Sequence, residues 1–255
     1  MKTLRLGRWL RATAVILSVF LTWEVVCRGF RIHDYVLPAP GAIAFSLVKH
    51  FPQLWPELLH TVQSAMLGFV LGSLLGIVFG VLIGRFRLAY DTLYPLLIGF
   101  SSIPKVAILP ILVIWFGTGT IPAVLVAMLL CLFPVTVNVA TGIATTEPEL
   151  EDVLRVLGAR DADILWHVAL PRSLPHLFAA LKVGVTVAFI GAITSETIAS
   201  NSGIGNVMMV ATANFDVPLL FAGLALISFT GIGLYVLFSL VEARLTSWAQ
   251  RRPLP

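Results

Sequence analysis

Lys105 sits in "SSIPKVAILPILVIWFGTG", between Pro104 and Pro110 and among apolar side chains. An ammonium in such a stretch is costly, so it marks either an anion-holding position or a side chain reaching out to headgroups. Glu196 lies in "GAITSETIASNSGIGNVM", where a polar, glycine-rich run that includes Asn201 follows it. A carboxylate there could line a re-entrant turn covered by protein or cap a solvated loop. Pro104, Lys105, Glu196 and Asn201 are therefore the candidates for a polar pathway. A third pattern is "GFVLGSLLGIVFGVLIG", in which Gly68, Gly72, Gly76, Gly80 and Gly84 recur every fourth residue.

Enzyme chemistry finds little to work with. His33, His50, His60, His167 and His176 are scattered, and neither H-E-x-x-H nor G-x-S-x-G occurs. Cys27 and Cys131 lie in different segments, which supports neither a disulfide framework nor a metal site. G-x-x-x-x-G-K-[ST] is absent, so the chain offers no nucleotide site and no bound cofactor is expected.

The elements that must position these residues are membrane spans. Of the 255 residues 58% are hydrophobic and only 12% charged, a balance that belongs in a bilayer. Apolar stretches able to cross ~30 Å of hydrocarbon recur six times, near 11–26, 62–84, 93–116, 121–143, 177–198 and 219–240. The expected class is an all-α membrane protein. Its expected parts are an arm and first span (1–29), an outer connection with an interfacial helix anchored by Trp55 (30–57), a transmembrane domain (58–242) and a tail (243–255).

Basic residues orient the spans, because Lys and Arg are retained in the cytoplasm. Lys2, Arg5, Arg8, Arg11, Arg85, Arg87, Arg155, Arg160, Arg172, Arg244, Arg251 and Arg252 fall on one side, against Arg28, Arg31 and Lys49 on the other. Both termini are thus expected in the cytoplasm. The net charge of +4 needs no nucleic acid to explain it, since the basic residues border spans singly or in small groups. "TWEVV" before Cys27 lacks the small residue of an export cleavage site, so the first span is expected to stay uncleaved.

The glycine ladder falls inside the second span and is a packing surface for another helix. At ~100° per residue a stripe of period four winds ~160° over its length. Gly68 and Gly72 are therefore expected to face one neighbour and Gly80 and Gly84 another, with Gly76 at the crossing.

On the cytoplasmic side runs "TTEPELEDVLRVLGARDADILWHVALPRSLPH". Thr146 and Glu149 suit a capping box and Pro148 a first helical turn, while Glu147, Glu149, Glu151 and Asp152 suit the positive end of the dipole. Leu150, Val153, Leu154 and Leu157 would make one face apolar. Gly158 suits a left-handed helix end. Asp161 suits the N-cap of a second helix over 162–169, with Ile164, Leu165 and Val168 on one side and Pro171 as its stop. Such a knob could sit in a groove on another protein.

This segment resembles the cytoplasmic signature loop of permease subunits of bacterial ABC importers: Glu-Ala-Ala, three residues, Gly, nine residues, Ile, one residue, Leu-Pro. Gly158, Leu170 and Pro171 match, Val168 stands for the isoleucine, and Asp152, Val153 and Leu154 replace the leading triplet. "LPAPGAIAFSL", "IPKVAILPILVIWFGTG" and "SETIASNSGIGNVMMVATANFDVPLLFAGL" are similar to the subfamily serving nitrate, taurine, alkanesulfonates and pyrimidine thiamine precursors.

The resemblance implies a type I importer permease fold in the inner membrane, with a coupling loop at 145–175 carried by Asp152, Gly158, Ala159, Asp161, Leu165, Leu170 and Pro171. It implies two identical permease subunits, two ATP-binding cassette subunits that hold ATP and Mg, and a periplasmic or lipoprotein solute-binding protein. A small anion is the expected solute. The alternative is a channel or ion-coupled transporter, for which Lys105, Glu24 and Glu196 are the intramembrane ionisable groups; no internal repeat favours it.

Overall fold

The structure, a computed structural model, describes residues 2–145 and 147–246. Every regular element among them is helical: α1 (Lys2–Gly29), α2 (Pro40–Arg85), α3 (Arg87–Ser101), a 3₁₀ turn (Lys105–Ile108), α4 (Leu109–Phe116), α5 (Thr120–Ala144), α6 (Pro148–Val156), α7 (Asp161–Ile164), a π-helical turn (Leu165–Ala169), α8 (Leu170–Ala199), α9 (Ile204–Ala213) and α10 (Val217–Leu245). Of these, α2, α5, the 161–199 run and α10 are long and apolar enough to cross a membrane. The bent pair of α3 with Lys105–Phe116 makes a fifth.

The centre of the bundle is α5, which packs against both α2 and α8. Lipid is as apolar as leucine, so helices here are held by close van der Waals contact. Small residues permit that contact. A Cβ on Gly68 would lie 2.6 Å from the Val124 carbonyl oxygen, on Gly72 2.5 Å from that of Met128, on Gly76 2.9 Å from that of Leu132, on Gly80 2.9 Å from that of Thr136, and on Gly84 2.7 Å from that of Ala140.

All five glycines therefore face α5, and the expected division between two neighbours is wrong. The opposing carbonyls also advance by four residues, in the same chain direction. Two parallel helices with matching four-residue stripes wind around each other, right-handed because the repeat exceeds 3.6, and each stripe keeps meeting the other. Helix α8 repeats the device against α5, where a Cβ on Gly191 would lie 3.0 Å from Ala127 Cα.

Several boundaries differ from expectation. The interfacial segment and the second span form the single 46-residue helix α2. Pro52 and Pro56 lie exposed on it, where headgroups or water can take up the carbonyls they leave free. Near them Trp55 stacks on Phe51 at 5.7 Å. The third span breaks by 77° before Lys105; Pro104 bars a helical Ile103, whereas Pro110 sits harmlessly in the first turn of α4. Pro171 does not stop the chain either. Leu170 N–H reaches back five residues to Leu165 O, and this wider turn makes room for a prolyl ring, so α7 continues into α8. The capping role of Thr146 and the bases Arg251 and Arg252 fall outside the described residues.

Gly76→Ala is expected to cost about 1–3 kcal/mol by overpacking, read as a lowered melting midpoint in detergent. Gly99→Ala, where a Cβ would meet nothing within 4 Å, should leave the midpoint unchanged or raise it, since alanine is the better helix former.

Candidate functional site: a helical knob and a polar clasp

The knob is built around Gly158. Its φ of 87° is the left-handed conformation, and Gly158 N–H donates to Arg155 O at 3.0 Å while Ala159 N–H donates to Leu154 O at 3.0 Å. These two bonds close the end of α6 as a Schellman motif, as the glycine suggested. The chain then turns into α7, whose N-cap is Arg160 rather than Asp161. Asp163 takes the Arg160 N–H at 3.0 Å.

Asp161 has another task. Its carboxylate lies 3.0 Å from Arg85 at the end of α2 and 3.6 Å from Arg155 on α6. Asp152 pairs with the same Arg155 at 3.4 Å, and Glu147 with Arg172 on α8 at 2.8 Å. The knob is thereby latched to two spans.

Its apolar residues divide into two sets. Ile164 is buried, and Leu165 and Leu170 pack on the bundle core; half-buried Pro171 continues the same turn into α8. Val156 is 87% exposed, Leu157 76% and Trp166 68%. Among the described residues nothing covers this second set. The helical periodicity had pointed to Leu157 but not to Val156 or Trp166, which fall on neither of the apolar faces read from the spacing. Behind the knob a cavity of about 390 Å³ opens between Arg85, Arg87, Tyr90, Asp91 and Leu165.

Lys105 begins the 3₁₀ turn at the break in the third span. Its ammonium donates to Ser101 O at 2.8 Å, closing the negative end of α3, and lies 4.6 Å above the Phe133 ring. Pro104 beside it is exposed. The broken span thus carries a half-buried cation at its joint.

The opposite end of the bundle holds a polar clasp. Three side chains from other helices receive the first N–H groups of the α9 region: Glu57 Oε2 that of Gly203 at 2.5 Å, Thr61 Oγ1 that of Ile204 at 2.8 Å, and Glu196 Oε2 that of Gly205 at 3.2 Å. Thr61 in turn donates to Glu196 at 2.7 Å. A helix start buried in a membrane protein must find acceptors, and here α2 and α8 supply them.

Glu196 is 1% exposed and faces α9 instead of open space. It is a capping carboxylate, yet a buried one and not part of a solvated loop. Gly203, at φ 93°, has no room for a side chain because a Cβ would fall on the Glu196 carboxylate. His60 Nε2 adds contacts to Thr120 at 3.1 Å and Ser202 at 3.2 Å, tying in the start of α5. Asn201 is exposed beside this clasp, at the rim of a cleft.

Sequence reasoning missed Glu57, His60 and Thr61, whose i, i+3, i+4 spacing on one helix face was the available signal. It also missed the ion pair of Lys182 and Glu242, 2.6 Å apart between α8 and α10. Glu24 accepts Gly41 N–H at 2.8 Å and so ties α1 to the start of α2. Among the described residues no group of three His, Cys, Asp or Glu side chains could hold a metal ion.

Thr61→Val removes an acceptor from Ile204 and a donor from Glu196. A destabilisation of about 1–3 kcal/mol is expected for the buried groups left unpaired, measurable by thermal unfolding; Thr61→Ser should retain most of the stability.

Comparison with known proteins converges on one family. Residues 60–252 match the model of the binding-protein-dependent transport system inner membrane component. The chain is 36% identical to the riboflavin transport system permease protein RibX of Chloroflexus aurantiacus over 94% of its own length and 89% of that protein's. It is 29% identical to the formylaminopyrimidine transport permease protein ThiX of Halalkalibacterium halodurans, over 95% and 97%. The fold is similar to a chain of the MetNI methionine ABC transporter in an inward-facing conformation, with a TM-score of 0.66 at 18% identity, covering 78% of this chain and 99% of that one. With its apolar helices around α5 and no nucleotide motif of its own, the chain belongs to the binding-protein-dependent inner membrane components: it is a multi-pass permease subunit of an ABC importer, whose ATP is hydrolysed by a separate subunit.

Proposed function

We propose that this permease works as one of two identical copies, coupled through the knob to two ATP-binding cassette subunits that hold ATP and Mg, and supplied by an external solute-binding protein. The observation that carries the coupling is the exposed apolar set of Val156, Leu157 and Trp166, on a knob latched to α2 by Asp161 and Arg85. Large apolar side chains left exposed on a cytoplasmic projection fit a partner's groove. A push on them travels through Leu165 and Leu170 into the core and through Asp161 into α2, so that the spans tilt between inward- and outward-open arrangements. In this scheme Gly158 and Ala159 set the knob's shape, Asp152 steadies Arg155, and Pro171 sits at the joint with α8.

The topology proposed has six spans, with α1 as the first and both termini in the cytoplasm; the basic-residue count supports it. Most apolar side chains of α3 and α4 are uncovered, and a second copy of the chain would cover them, while lipid covers α10. Pro104 and Lys105 then stand at the joint of the pathway, and Glu196 and Asn201 act at its outer end through the clasp.

The solute proposed is a small molecule or ion delivered from outside, either an anion such as taurine, an alkanesulfonate or nitrate, or a heterocycle of the thiamine-precursor type. Lys105 would serve an anionic group.

Gly158→Asp should abolish ATP-dependent uptake in whole cells while the protein still reaches the membrane, since a left-handed residue with a side chain reshapes the knob. Uptake at the wild-type rate would remove the knob from the coupling. Lys105→Ala should lower uptake at least tenfold without loss of membrane protein, and unchanged uptake would take Lys105 out of the pathway.

A further inference from the structure

Phe215 closes α9 in an unusual way. Its φ is 57°, and Phe215 N–H donates to Thr212 O at 3.1 Å while Asp216 N–H donates to Ala211 O at 2.9 Å. This is the hydrogen-bond pattern that ended α6, with phenylalanine where Gly158 stood. The left-handed region is easy for glycine and strained for a bulky side chain. Among the described residues nothing packs on it to compensate, since Phe215 is 76% exposed. Strain held at an exposed aromatic tip points to a role outside the fold.

Beside that tip lies a cleft of about 280 Å³ between α2, α9 and the start of α10. Gln53, Asn201, Asn206 and Asn214 line it with amides, and Glu57 and Asp216 with carboxylates. Among the described residues no Lys or Arg lines it. Both carboxylates are held in place by backbone, Glu57 by Gly203 and Asp216 by Leu219 N–H at 3.1 Å. A rigid aromatic knob next to a fixed acidic, amide-rich cleft has the make-up of an interface hot spot. Anionic headgroups would be repelled by the same carboxylates, which argues against lipid as the occupant.

We propose that Phe215 and the adjoining Glu57–Asp216 cleft form a docking point for the external solute-binding protein, Phe215 entering an apolar pocket on it and the cleft receiving a Lys or Arg side chain. The surface lies at the end of the bundle opposite the cytoplasmic knob, so the proposal rests on the importer topology given above. The rigid clasp of Glu57, Thr61 and Glu196 then presents the docking point at a fixed angle and links the partner's arrival to α2 and α8.

The test uses the complete transporter, this chain with its ATP-binding subunits, and the solute-binding protein encoded beside it. Phe215→Gly suits the backbone better than phenylalanine and should fold at least as stably. It is expected to weaken binding of that protein at least tenfold and to lose most of its stimulation of ATP hydrolysis. Asp216→Asn keeps an acceptor for Leu219 and should weaken binding at least threefold, with a flatter dependence on salt. The measurement is made in detergent and in nanodiscs of phosphatidylethanolamine with phosphatidylglycerol. Equal losses in both support the proposal, whereas a loss confined to nanodiscs makes Phe215 a lipid anchor and overturns it. Stimulation of wild type and Phe215→Gly alike overturns the docking point alone. No stimulation of the wild type overturns the importer reading and this proposal with it.

Discussion

Backbone contact between α2 and α5 is the constraint from which the rest follows. In lipid no apolar driving force brings helices together, so their association depends on how closely the main chains can approach. Five glycines on α2 set against five carbonyls of α5 give that approach over the depth of the span, and α8 brings Gly184 and Gly191 against α5 beside that seam. The three helices become one rigid unit, whose core is filled by alanine, valine and Cys131 between two phenylalanines, Phe69 and Phe189.

Both polar ends are anchored to that unit. At one end Arg85 is the last residue of α2, one residue past the ladder, and it holds Asp161 of the knob. At the other end Glu57 and Thr61 precede the ladder on the same helix and hold the start of α9 with Glu196 of α8. A movement of the knob is thus a movement of the helix that carries the clasp. Ion pairs of exposed groups such as Asp152 and Arg155 are individually weak, so the knob owes its shape chiefly to the turn at Gly158 and to burial of Ile164.

The two helix ends that close by the same hydrogen-bond pattern illustrate a division of labour. Gly158 takes the left-handed position without strain and leaves neighbouring side chains to present the surface. Phe215 takes it with strain and is itself the surface. The first is legible in any sequence that shows glycine after an amphipathic helix; the second is not, since phenylalanine carries no such signal.

Composition and period alone determined that the chain lives in a bilayer, that the glycine ladder packs, and that Gly158 ends a helix. These are local facts of hydropathy, helical spacing and backbone freedom. Tertiary structure decided which helix the ladder meets, because two matching stripes can wind together as one stripe alone cannot. It also decided that Glu196 is a buried cap, since the donors to its carboxylate come from Thr61 and Gly205 on other elements, and that Pro171 interrupts nothing, since a π turn before it absorbs the ring. A partner distant in sequence leaves no mark on the residue that needs it, and such partners settle the two ends of this permease.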